Sequence, residues 1–153
     1  VYKVSPWALS WNDGNYYLIA YDGEKGIIKH FRVDKMLHIE LNGEKREGKQ
    51  VFQSFDMAAY ARKMFGMYGG KEEWVRIECD NSFAGVMIDR FGKDVSMIRL
   101  DDKRFVVNVE VAVSRQFLAW IISLGEGVTL VGPDNVVEMM NIEIDRLIKQ
   151  YKK

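Results

Sequence analysis

The chain has 153 residues, enough for one domain or two small ones, and its 48% hydrophobic share suffices for a core. Its 22 basic residues balance 22 acidic ones, which argues against a bulk electrostatic DNA binder but leaves room for a local basic groove. Cys79 is the single cysteine, so no internal disulfide forms and a reducing cytoplasm is expected. No apolar run approaches the ~18 residues of a membrane helix, and the N-terminus has no signal-peptide pattern.

The first ~50 residues read as short strands with tight turns. Trp7, Leu9 and Trp11 alternate with Ala8 and Ser10. Asn12-Asp13-Gly14-Asn15 then supplies a hairpin turn, because Asp-Gly tolerates positive φ. Asn15 to Asp22 is the partner strand, Gly23 to Gly26 the next turn, and Ile27 to Val33 a third strand. A fourth strand is expected with Leu37, Ile39 and Leu41 on one face and His38 and Glu40 on the other. Asn42 to Gln50 is polar and reads as a loop. Four such strands make a small, curved sheet or barrel.

A helix is expected to begin at Phe55-Asp56, with Asp56 as N-cap and Phe55 stapled onto Tyr60. It carries Tyr60, Met64 and Met67 or Tyr68 on one stripe and ends near Gly69-Gly70. The second half has a different grammar. Val75, Ile77 and Cys79 alternate with Trp74, Arg76 and Glu78, as in a strand. Asp80 to Ser82 caps a short helix bearing Phe83, Met87 and Phe91. Val95 to Leu100 is a strand. Phe105, Val107, Val109, Val111 and Val113 mark the next, with Arg104, Asn108 and Glu110 on its other face. Ser114 caps a helix with Phe117, Ile121 and Leu124 on its stripe, stopped by Gly125. Val128 to Val131 is a last strand. Pro133 opens a final helix with Val136, Met140, Ile144, Leu147 and Tyr151 aligned. This is the ferredoxin-like split βαβ order with an added helix.

Three motifs stand in order between Ser5 and Met36: Ser5-Pro6 with Leu9, then Tyr16-Tyr17-Leu18, then Lys29, Phe31, Arg32, Val33, Asp34 and Lys35. Together they resemble the WYL domain of bacterial transcriptional regulators. Phe55-Asp56, Tyr60 and Phe65-Gly66-Met67 resemble the connector of such regulators. Phe117, Trp120, Ile121, Ser123, Gly125, Gly132-Pro133 and the closing helix with Tyr151 resemble the WCX extension. The resemblance implies an α+β chain: a small Sm-like, SH3-type β-barrel at 1–54, a connector helix at 55–71, and a ferredoxin-like βαββαβ module with a C-terminal helix at 72–153. Two positions depart from the pattern. Tyr16 stands where the family name has Trp, and Lys35 stands where Arg is frequent, losing the bidentate fork. The family also has a helix and first strand ahead of the matching stretch, and a winged helix-turn-helix further upstream. The expectation is therefore a barrel without its first strand and a regulator seen without its DNA-binding head.

The resemblance implies a sensor of nucleic acid or a nucleotide-like anionic effector, a homodimer, and operator DNA reached through the absent helix-turn-helix. The candidate ligand residues are Arg32, Lys35, Lys29, Tyr17, Tyr16, Phe31, His30 and Ser5. Cations neutralise phosphate, and rings stack on bases at ~1–3 kcal/mol each. The same residues also fit a solvated strand face over core aromatics. Parity divides them, with Lys29 and Phe31 on one face and His30 and Arg32 on the other. Tyr16 likewise turns away from Tyr17. Arg32 and Lys35 converge if the chain bends at Val33-Asp34, where Asp34 is either part of a site or a structural partner of Arg32. Ser5 is either beside the patch or a turn cap. Arg76, Arg99, Arg104 and Arg115 are either a second basic wall or surface charge. Cys79 shares the parity of Val75 and Ile77, so it reads as a buried thiol. No Ser-His-Asp, metal-ligand or P-loop pattern is present, so neither enzyme activity nor a metal or cofactor is expected, nor a membrane partner. The alternative is a protein-interaction or dimerisation module without a small ligand.

Overall fold

Positive φ at Asp13 (47°) and Gly14 (74°) closes a two-residue turn between β1 (Ser5–Asn12) and β2 (Asn15–Asp22). The structure is a computed structural model that describes residues 1–65 and 70–152. β3 (Ile27–Arg32) follows the Gly23–Gly26 turn, and β1-β2-β3 form one antiparallel sheet. The register slips between Pro6 and Ala8, and this bulge takes Trp7 out of the alternation that exposes Leu9 and Trp11.

The expected fourth strand does not form. A single 3-10 turn at Val33–Lys35 follows β3, closed by Met36 N–H donating to the Val33 carbonyl at 3.2 Å. His38 then adopts φ 55°, which breaks an extended run. Leu37, Ile39 and Leu41 are left 81%, 72% and 97% exposed. Their alternation suits a strand, but a strand needs a neighbour to bond to.

The stretch read as a loop is stitched back onto β1. Lys3 bonds Glu44, Ser5 Oγ accepts from Glu47 N–H at 2.8 Å, and Trp7 Nε1 donates to the Glu47 carbonyl at 2.7 Å. A short helix, α1 (Lys49–Gln53), begins there. In α2 (Met57–Lys63) Asp56 caps as expected, accepting from Ala58 and Ala59 N–H at 2.8 and 3.1 Å. Phe55 lies 4.7 Å from Tyr60, ring to ring. The helix is shorter than its apolar stripe. Arg90 Nη2 takes the Met64 carbonyl at 2.7 Å, and Phe65 buries 5.1 Å from Phe117 and 5.3 Å from Trp120. Met67 and Tyr68, expected on that stripe, lie outside the described residues.

Among the described residues the chain divides into two compact units, Val1–Tyr60 and Ala61–Phe65 with 70–152. In the second, β4 (Lys71–Asp80), α3 (Ala84–Phe91), β5 (Ser96–Arg99), β6 (Arg104–Val113), α4 (Arg115–Ser123) and β7 (Val128–Gly132) follow in the ferredoxin-like order. The antiparallel sheet runs β5-β6-β4-β7, with the first and third strands of the module central. Val75, Ile77, Cys79, Val107 and Val111 present one buried face to Met87 of α3 and Phe117 of α4. Ser114 Oγ caps α4, accepting from Phe117 N–H. α5 (Asp134–Tyr151) buries Val136 and packs Met140 on this core. Beyond Met140 the expected stripe runs into solvent, where Ile144 and Tyr151 are exposed.

Candidate functional site

Register decides which candidates meet. Counting outward from the Asn12–Asn15 pair sets Ser10 opposite Tyr17. On the other side of β2, Tyr17 stands opposite Arg32, Leu18 opposite Phe31, Ile19 opposite His30, and Ala20 opposite Lys29. Side chains alternate, so Tyr17, His30 and Arg32 share one face with Ser10, while Tyr16, Lys29 and Phe31 share the other.

Arg32 is the centre of the first face. Its guanidinium forks onto Asp34, Nε to Oδ1 at 3.0 Å and Nη2 to Oδ2 at 2.8 Å. Lys35 Nζ lies 3.8 Å from the same carboxylate and keeps 71% of its side chain in solvent. The Arg32 hydrogen bonds, and then the charge of both cations, hold the Asp34 carboxyl below the usual carboxylate range. Two cations, Arg32 and Lys35, thus lie against the one Asp34 carboxylate at this corner. Tyr17 stands beside Arg32 at cross-strand distance. An anion arriving there either displaces Asp34 from the Arg32 fork or adds at Lys35.

The other candidates are committed within the fold. Lys29 Nζ sits 2.5 Å from Asp22 Oδ2 and 5.1 Å from the centre of the Tyr2 ring. Asp22 is buried and also accepts from Lys25 N–H at 3.0 Å. These bonds, Lys29 first, hold its carboxyl low. Phe31 packs edge-on against Tyr2, ring centres 5.2 Å apart. Tyr16 does the same against Trp11 at 4.7 Å. His30 Nε2 and the Tyr60 hydroxyl lie 2.9 Å apart. Ser5 stands opposite Tyr21, four positions and roughly 13 Å along β2 from Tyr17. It tethers the Glu47 segment rather than joining Arg32 or capping its own turn.

Sequence reasoning missed Ser10 and Tyr60. Ser10 was recoverable from the hairpin register. Tyr60 meets His30 across 30 positions, and nothing local signals that. In the second unit Arg99 pairs with Asp102, Arg104 with Asp101 and Glu78, and Arg115 with Glu143, so these three are neutralised surface charge. Burial, and then the charge of Asp80, push the Cys79 thiol up to about 11. Among the described residues no group of His, Cys, Asp and Glu side chains is placed to hold a metal ion. No helix among them is long and apolar enough to cross a membrane.

Comparison with known families matches the WYL domain over residues 1–41 and the WCX domain over residues 71–148. No curated protein matches the chain. Among solved structures the chain is similar to the proteasome accessory factor B/C (PafBC) of Arthrobacter aurescens, with 22% identity and a TM-score of 0.46. That similarity covers 98% of this chain and 22% of that one.

Proposed function

The chain belongs to the family of WYL and WCX domain proteins, and on that premise we propose that it is the effector-sensing part of a bacterial, cytoplasmic transcriptional regulator. The effector is a nucleic acid or a nucleotide-like anion. Operator binding belongs to a helix-turn-helix elsewhere in the whole regulator, which acts as a homodimer. The effector works by population shift, binding one arrangement of the regulator better than another. No catalytic step is assigned to any residue.

The observation that supports this reading is the cross-strand pair of Tyr17 and Arg32 beside Lys35. A flat ring next to two cations suits a base carrying a phosphate. The test is fluorescence anisotropy of a short labelled single strand in rising salt. Two neutralised phosphates give a log-log slope of roughly −1.4, and each cation removed flattens it by about 0.7. Arg32→Ala and Lys35→Ala should each do so. A screen of oligonucleotides, nucleotides and other anions at low salt that finds no binding rejects the reading.

One observation favours a protein-interaction or dimerisation module instead. Leu37, Ile39 and Leu41 are exposed, and β1 and β3 are the edge strands of their sheet. Self-association by sedimentation with no anion binding would decide for that reading.

A further inference from the structure

We propose a second anion site in the first unit, a cavity between Trp7, Arg46, Lys49, Phe52 and Gln53 that takes a small ring-bearing phosphate of nucleoside monophosphate size. The cavity measures about 370 Å³, within the range of small-molecule sites. It exists because of two departures from regular structure. The bulge at Pro6–Ala8 frees Trp7 from the strand alternation, and the segment before α1 returns to β1 to meet it. The Phe52 ring stacks on the indole, centres 5.0 Å apart and planes 10° from parallel. The Arg46 guanidinium lies 3.7 Å from an indole ring centre and is steadied by the Pro6 carbonyl, 3.2 Å from its Nη1.

Charge carries the argument. In this unit Lys3 pairs with Glu44, Lys29 with Asp22, and Arg32 and Lys35 share Asp34, while exposed Lys25 and Lys45 have no ion pair among the described residues and do not line this cavity. Among the described residues Arg46 is held by a neutral carbonyl and a neutral ring. Neither it nor Lys49 has an ion pair among the described residues, and no carboxylate lines the cavity. The two nearest acids in sequence are placed elsewhere. Glu44 is taken by Lys3, and the Glu47 carboxylate lies against Gly23, where a Cβ would collide with it. Two cations without counter-charge suit a phosphate. Trp7 and Phe52 offer an apolar wall to a planar ring, and the Gln53 amide can both donate and accept at its edge. The cavity lined by Asp80, Asp101, Asp102, Lys103 and Arg104 lacks this character, since carboxylates already surround its cations. The proposed site shares no residue with the Arg32–Lys35 corner, so either can fail without the other.

The experiment follows the Trp7 indole N–H resonance in the full chain, assigned by its loss in Trp7→Phe, during low-salt titration with AMP, inorganic phosphate and adenosine. AMP should move this resonance to saturation, phosphate should bind more weakly, and adenosine should not bind. Lys49→Gln, an exposed change, should weaken AMP about tenfold, and Arg46→Gln at least as much, while Arg32→Gln leaves it unaltered. The proposal is overturned by a Trp7 resonance that AMP does not move, by phosphate binding as tightly as AMP, by an unweakened response in the folded Lys49→Gln protein, or by loss of the response in Arg32→Gln.

Discussion

The two units hold themselves together in different ways. In the second, a sheet face and three helices enclose Val75, Ile77, Met87, Val107, Val111, Phe117 and Val136, each almost wholly buried. In the first, Ile19 and Ala20 are the only buried apolar residues among those described. Its larger apolar side chains instead touch ring to ring. Trp7, Phe52, Phe55, Tyr60 and His30 follow one another with centres 5.0, 4.8, 4.7 and 5.5 Å apart. Ion pairs and side-chain bonds to backbone complete the fastening. A deep core resists change because every lost methylene leaves a void. A surface of stacked rings and paired charges presents its chemistry to solvent, and there the proposed ligand sites lie.

The largest expected effect tests the deep core. Phe117→Ala should cost ~3–5 kcal/mol in denaturant unfolding, because it empties a site with no exposed surface and removes the partner of Phe65. Ile19→Ala should cost about 2 kcal/mol, the low end for such a change, since fewer buried neighbours surround it. Equal costs would break the contrast between the units. Asp56→Ala should remove about 1 kcal/mol by leaving the Ala58 and Ala59 N–H groups uncapped.

Acid sharpens the comparison further. Asp22 and Asp34 both have depressed carboxyl pKa values in the folded chain. Their stabilisation is complete above the unfolded value near ~3.9 and is lost as pH falls through the folded values. Asp22→Asn should therefore flatten the acid limb of a stability-versus-pH curve followed by a first-unit probe, such as the Trp7 indole resonance. An unchanged limb would remove the Lys29–Asp22 pair from the account. The smallest effect is chemical. With its thiol pKa near 11 and its side chain buried, Cys79 should resist iodoacetamide at pH 8 until the second unit unfolds. Rapid labelling of the native chain would show a core looser than described.

Much of the fold was legible in the residues. The strand-helix order of the second unit, the Asp13-Gly14 hairpin, the Asp56 and Ser114 caps and the parity of β3 all rest on local periodicity and turn chemistry, which act within a few residues. So does the separation of Lys29 and Phe31 from His30 and Arg32. What the tertiary structure alone decided spans longer separations. The fourth strand has the right alternation at Leu37, Ile39 and Leu41 but no neighbour to bond among the described residues. The connector helix stops at Lys63 because Arg90 and the Phe117–Trp120 cluster draw Met64 and Phe65 away. Arg46 meets Pro6 and Trp7 across about 40 positions, and a polar stretch read as loop becomes the wall of a cavity. Pairing and burial of this kind depend on which distant groups arrive, and a residue's own type and near neighbours do not encode that.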